Sequence, residues 1–169
     1  MRTRFLALFV AALCWSQSLD AQLKRPRAEV TPVAPAAGVA AGSMVNVSLT
    51  VRLPKDVHVQ ADKPRDPSLI ATTLSIEAPP GVTVEKITYP AATELAQSGR
   101  RDKLLVFGPE FEIEARFVIA PSVAPGELVI PARLRYQACN ETMCFPPSRA
   151  ETQWTLRVVA VAAGRSLLH

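Results

Sequence analysis

The amino-acid sequence predicts an all-β protein built as a sandwich. Long stretches alternate apolar and polar residues, Pro- and Gly-containing turns punctuate them, and hardly any stretch has a helical period. The first element is a processing signal, 1–21. Met1–Arg4 is basic, Phe5–Trp15 is an apolar run, and Ser16–Ala21 is polar with Leu19 and Ala21 at the −3 and −1 positions. The apolar run is shorter than the ~20 residues a membrane span needs, and no second run offers an anchor. Cys14 is expected to leave with the signal. Residues 22–41 form a Pro/Ala-rich leader that includes an edge strand at Ala28–Val33.

The domain proper is placed at 42–161, followed by a tail at 162–169. Val45, Val47, Leu49, Val51 and Leu53 alternate with Asn46, Ser48, Thr50 and Arg52, the period of a half-buried strand, and Pro54 ends it. The same period runs through Phe111, Ile113, Ala115, Phe117 and Ile119, recurs over Leu128–Tyr136, and returns in Thr152, Trp154, Leu156 and Val158. Shorter strands are predicted at Val57–Gln60, Ile70–Glu77 and Val82–Tyr89, with turns at Pro79–Gly81 and Pro125–Gly126. One short helix is predicted at Ala91–Ser98.

Charge argues against some partners. Removal of Arg2, Arg4 and Asp20 with the signal lowers the formal net charge of +4 by one, to about +3. Lys and Arg are dispersed rather than gathered on a face, so nucleic acid is not an expected partner.

Of three cysteines, Cys139 and Cys144 remain after processing, an even number in a compartment that permits disulfides. A strand runs into Cys139, four residues turn, and Cys144 begins a return stopped by Pro146 and Pro147. A hairpin of this kind brings two Cα atoms toward the roughly 4.4–6.8 Å that a disulfide requires. Such a bridge is a weak staple. Chain entropy assigns about 2 kcal/mol to a loop of about six residues, against about 4.7 for one of about 100. Spacing alone leaves a structural staple and a redox pair evenly matched. A zinc site needs two further ligands, and His58 and His169 are the only histidines, so no metal is expected. His58 reads as a strand histidine.

The stretch Tyr136-Gln-Ala-Cys139…Cys144-Phe-Pro-Pro147 resembles the Tyr-Gln-x-Cys…Cys-x-Pro-Pro signature of the N-terminal periplasmic domain of the thiol:disulfide interchange protein DsbD, the disulfide-bond corrector domain family. Val57-His-Val-Gln-Ala-Asp-Lys-Pro64 and Leu105-Val-Phe-Gly108 are similar to further family stretches, and the resemblance extends from about Glu29 to Ala160. It implies an immunoglobulin-like sandwich that relays reducing equivalents between thioredoxin-fold proteins: a DsbD-like membrane reductase, a disulfide isomerase or a cytochrome-maturation thioredoxin. By position it makes Cys144 the exposed sulfur that forms the mixed disulfide and Cys139 the resolving partner. The family's aromatic cap has no clean counterpart here. Phe107 is assigned that role, with Val106 as the second choice and Tyr136 as a lining residue. The chain stops at His169, so the expected reductant is another polypeptide. No cofactor is expected, and the location is periplasmic or secreted. The alternative is a non-catalytic secreted binding domain in which Cys139–Cys144 is structural.

Overall fold

The structure is a computed structural model that describes residues 25–160. The signal segment with Cys14, and the tail with His169, lie outside the described residues. Twelve strands and no helix are present among the described residues. In chain order they are β1 (Glu29–Val33), β2 (Val39–Ala40), β3 (Met44–Arg52), β4 (His58–Gln60), β5 (Thr73–Ile76) and β6 (Val82–Thr88), then β7 (Thr93–Leu95), β8 (Leu104–Phe107), β9 (Glu110–Ile119), β10 (Gly126–Tyr136), β11 (Ala138–Cys139) and β12 (Ser148–Val159).

Two four-stranded sheets make the sandwich, one ordered β1-β3-β9-β6 and the other β2-β12-β10-β5. The alternating runs read from the sequence are its central strands. Val45, Val47, Leu49 and Val51 lie opposite Phe117, Ala115, Ile113 and Phe111, and all eight are buried on the inner face. Ile130, Ala132, Leu134, Trp154 and Leu156 supply the facing layer. Trp154 joins the two sheets. Its ring meets Phe117 edge-on at 5.7 Å, and its Nε1–H donates to the Ser48 carbonyl at 2.8 Å. At the turn Pro79–Val82, Gly81 adopts φ 84°, which is the requirement of a type II turn with Pro80 before it.

A third sheet, β11-β4-β8-β7, closes one end of the sandwich. Its strands continue those of the other two: β3 passes through Pro54 into β4, β8 through Pro109 into β9, and β10 through Gln137 into β11. The helix expected at Ala91–Ser98 is replaced here by the edge strand β7, whose Thr93, Glu94 and Leu95 pair with Val106, Leu105 and Leu104. The local helical preference of this short segment is outweighed by the backbone hydrogen bonds that β8 offers. Within the span read as a leader, β1 pairs with β3 along five residues and β2 pairs in parallel with β12.

Candidate functional site

The end sheet carries the cysteines. Cys139 ends β11 and lies opposite Cys144 across a four-residue loop, and the two are joined by a disulfide. Asn140 N–H donates to Met143 O at 2.9 Å and Phe145 N–H to Ala138 O at 2.8 Å, which makes the cysteines a non-hydrogen-bonded antiparallel pair. That pairing draws the Cα atoms to 4.0 Å, somewhat closer than the window expected from the sequence. Asn140 holds the loop itself: its Oδ1 accepts from the backbone N–H groups of Thr142 and Met143 and from the Thr142 hydroxyl. The hairpin is therefore shaped by its own hydrogen bonds, with or without the sulfur bridge.

The two sulfurs differ in access. Cys139 is 0 % exposed. Cys144 is partly exposed, and beside it Met143 is 38 % exposed.

Strand register decides which side chains share the cysteine face. Cys139 is paired with His58, and Gln60 follows two residues along β4 on the same face. Val106 of β8 lies opposite Gln60, so it belongs to this face too, buried alongside Leu104. Phe107 is one residue further. It pairs with Val59, which pairs with Ala138, and these three turn to the opposite face and enter the main core. There Phe107 packs on Phe111 with ring centroids 4.9 Å apart and stacks on Tyr89 at 6.2 Å. Tyr136 is also core. It is 1 % exposed, and its hydroxyl accepts from the Ala28 N–H at 2.8 Å, tying the chain ahead of β1 to the end of β10. Of the five residues singled out from the sequence, the structure thus joins Cys139 to Cys144, sets Val106 on the face that carries Cys139, and places Phe107 and Tyr136 in the core.

Two polar residues at the site, Gln60 and Gln97, were not singled out from the sequence, and a third, His58, was read there only as a strand histidine. The Gln60 carboxamide is fully buried, with Nε2 at 3.3 Å from Cys139 Sγ and 3.9 Å from Cys144 Sγ. Gln97, on the loop between β7 and β8, donates from Nε2 to the Asn140 carbonyl at 2.9 Å and fastens that loop to the cysteine hairpin. His58 is buried, with no hydrogen-bond partner for Nε2. The alternation Val57-His58-Val59-Gln60 did carry a signal, since it sets His58 and Gln60 on one face against two valines. Gln97 had none, because its contact joins residues 43 apart in sequence.

Burial lowers the His58 pKa from its ordinary value. The unfolded imidazole takes up a proton near its usual pKa of about 6.5, whereas the folded one resists until lower pH. Folding stability is therefore full above that value, declines as the pH falls below it, and levels off once the folded imidazole is also charged. Asp66 and Glu94 also have lowered pKa values, from their partners Ser68 and Arg65, but their window opens only near the ordinary carboxylate range. Urea midpoints at pH 7.5 and 5.5 should differ in the native chain and converge in His58→Gln. An equal slope in that variant would place the proton elsewhere.

A family model described as thiol:disulfide interchange protein DsbD, N-terminal, matches residues 27–155. Among solved structures, the N-terminal periplasmic domain of ScsB from Proteus mirabilis is similar at 11 % identity and a TM-score of 0.46. The match covers 81 % of this chain and 48 % of that one, so this chain spans about half of its length. The seventh ScaB type I cohesin from Pseudobacteroides cellulosolvens is similar at 12 % identity and a TM-score of 0.42, covering 83 % of this chain and 98 % of that one. No curated protein matches the sequence. The family model spans both sandwich sheets, the end sheet and the cysteine hairpin, and the chain belongs to the family of the N-terminal domain of the thiol:disulfide interchange protein DsbD.

Proposed function

We propose that this chain is a periplasmic thiol–disulfide exchange module that relays reducing equivalents between thioredoxin-like partners through Cys139–Cys144. Domains of this family interact with thioredoxin-like proteins in general. The observation that carries the reading is the asymmetry of the bridge: one cysteine fully buried in the end sheet, the other partly exposed just after the loop. A partner thiolate reaches Cys144 and displaces Cys139. Val106, buried opposite Gln60 on the face that carries Cys139, is the residue proposed to shield the pair. A periplasmic or secreted location follows from the signal pattern at 1–21 and from the need of a disulfide for an oxidising compartment. The membrane reductase, disulfide isomerase or cytochrome-maturation thioredoxin classes are the proposed partners. No cofactor takes part in the exchange itself, since both bonds made and broken are between sulfurs.

A redox titration of the purified chain against dithiothreitol buffers tests this reading. The expected midpoint lies near the thioredoxin range, about −270 mV. A midpoint well below about −300 mV would mark a resistant structural bridge and support the binding-domain alternative.

A further inference from the structure

We infer that Gln60 is a catalytic hydrogen-bond donor that selects Cys139 as the leaving sulfur, an inference that rests on the exchange reading above. Its Nε2 lies 3.3 Å from Cys139 Sγ and is farther, at 3.9 Å, from Cys144 Sγ. A disulfide sulfur has no proton to give, so only the donating end of the carboxamide suits this position. The other end, Oε1, is buried with no hydrogen-bond partner. Burying an unmatched acceptor lowers stability. The Gln60 side chain is thus poorly explained by the oxidised fold and well explained by what happens to the sulfur beside it.

In the first step the partner thiolate bonds to Cys144 Sγ, the Cys144–Cys139 bond breaks, and the electron pair departs on Cys139 Sγ. No proton moves. The partner's second thiolate then attacks the partner sulfur of the mixed disulfide. Cys144 leaves as a thiolate, and the partner dithiol, having supplied two electrons, ends as its own disulfide. Cys139 acquires its charge at a fully buried position, where desolvation opposes a thiolate. The Gln60 amide offsets that penalty. Its contact with a neutral disulfide is weak, whereas the same contact with a thiolate is charge-assisted, so it strengthens as the bond breaks. Its backbone is held on both sides: Gln60 N–H donates to Gln137 O at 3.3 Å, and the Thr72 hydroxyl donates to Gln60 O at 2.5 Å. The donor is thereby fixed before reaction rather than recruited during it.

The test compares the native chain with Gln60→Leu and Gln60→Met, which keep the bulk of the side chain and remove the donor. Reduction by dithiothreitol at fixed pH should slow about tenfold in both. The midpoint should move to more negative potential by a tenfold change in equilibrium constant, about 30 mV for this two-electron couple. Thermal stability of the oxidised variants should stay equal or rise. Unchanged rate and midpoint in either folded variant would overturn the assignment. If both variants fail to fold, the side-chain amide protons of Gln60 in the native chain provide the measurement. They should move downfield on reduction of the disulfide, and a static signal would overturn the assignment equally. Because the reductant is a small dithiol, these results are read independently of thioredoxin-like proteins. A native chain that exchanges with no such protein would defeat the relay reading while leaving the role of Gln60 measurable.

Discussion

Cys139→Ser should accumulate a mixed disulfide through Cys144 with thioredoxin-like proteins, whereas Cys144→Ser should accumulate none. In the first variant the accessible sulfur remains and the sulfur that would resolve the intermediate is gone, so the intermolecular bond persists. In the second the surviving thiol is Cys139, which is 0 % exposed and cannot be approached by a protein-sized reactant. Reaction with a thiol-specific reagent should be slower in Cys144→Ser by about tenfold or more. Both variants should remain folded. The bridge contributes about 2 kcal/mol by the chain-entropy estimate for so short a loop. The hairpin also keeps its hydrogen bonds from Asn140 to Met143 and from Phe145 to Ala138. Non-reducing electrophoresis of each variant mixed with an oxidised thioredoxin-like partner gives the answer. Equal trapping by both variants, or trapping through Cys139 alone, would remove the proposed division of roles.

The largest loss of stability is expected from Trp154→Ala, about 3–5 kcal/mol. This side chain is 1 % exposed, touches Phe117 of the facing sheet, and donates to the Ser48 carbonyl. Its removal opens a cavity between the sheets and also leaves that carbonyl acceptor without its partner. A loss of this size is a large share of the roughly 5–15 kcal/mol that holds a typical domain. Urea unfolding followed by far-ultraviolet circular dichroism measures it. Trp154→Phe should lose markedly less, since most of the apolar volume is retained. A loss below about 1 kcal/mol in Trp154→Ala would contradict the packing described. The disulfide midpoint should not move in Trp154→Phe, because β12 takes no part in the end sheet.

The sandwich was legible because its central strands are long. Over Met44–Arg52 and Glu110–Ile119 the apolar–polar period repeats enough times to exclude a helix, and Pro79-Pro80-Gly81 names its own turn type. The cysteine hairpin was legible for a similar reason, as its pairing is local. Of the end sheet only β4 was, read as Val57–Gln60. β7, β8 and β11 are two to four residues long, too short to show a period, and the sheet is assembled by pairings between distant parts of the chain, β11 with β4 and β4 with β8. Phe107 shows the consequence. From sequence it is the aromatic nearest to the expected cap, yet a one-residue difference in register gives the cysteine face to Val106 and sends Phe107 into the core. Tyr136 stands three residues before Cys139, an odd offset along strands that alternate faces. The pair Cys139 and Cys144 was visible at once, but Gln60 became visible only when β4 was set beside β11.

The passage of β10 through Gln137 into β11 also bears on how the protein is made. The cysteines, five residues apart, occupy the tip of the hairpin whose arms are β10 and β12, paired from Tyr136↔Ser148 down to Gly126↔Val158. Closing this tip needs only a short loop, whereas joining β3 to β9 brings together residues such as Val47 and Ala115 from distant parts of the chain. The two thiols therefore come together through a short loop that does not depend on the long-range pairings of the sandwich. Oxidation and folding are to that extent separable events, and the disulfide does not have to wait for a completed domain.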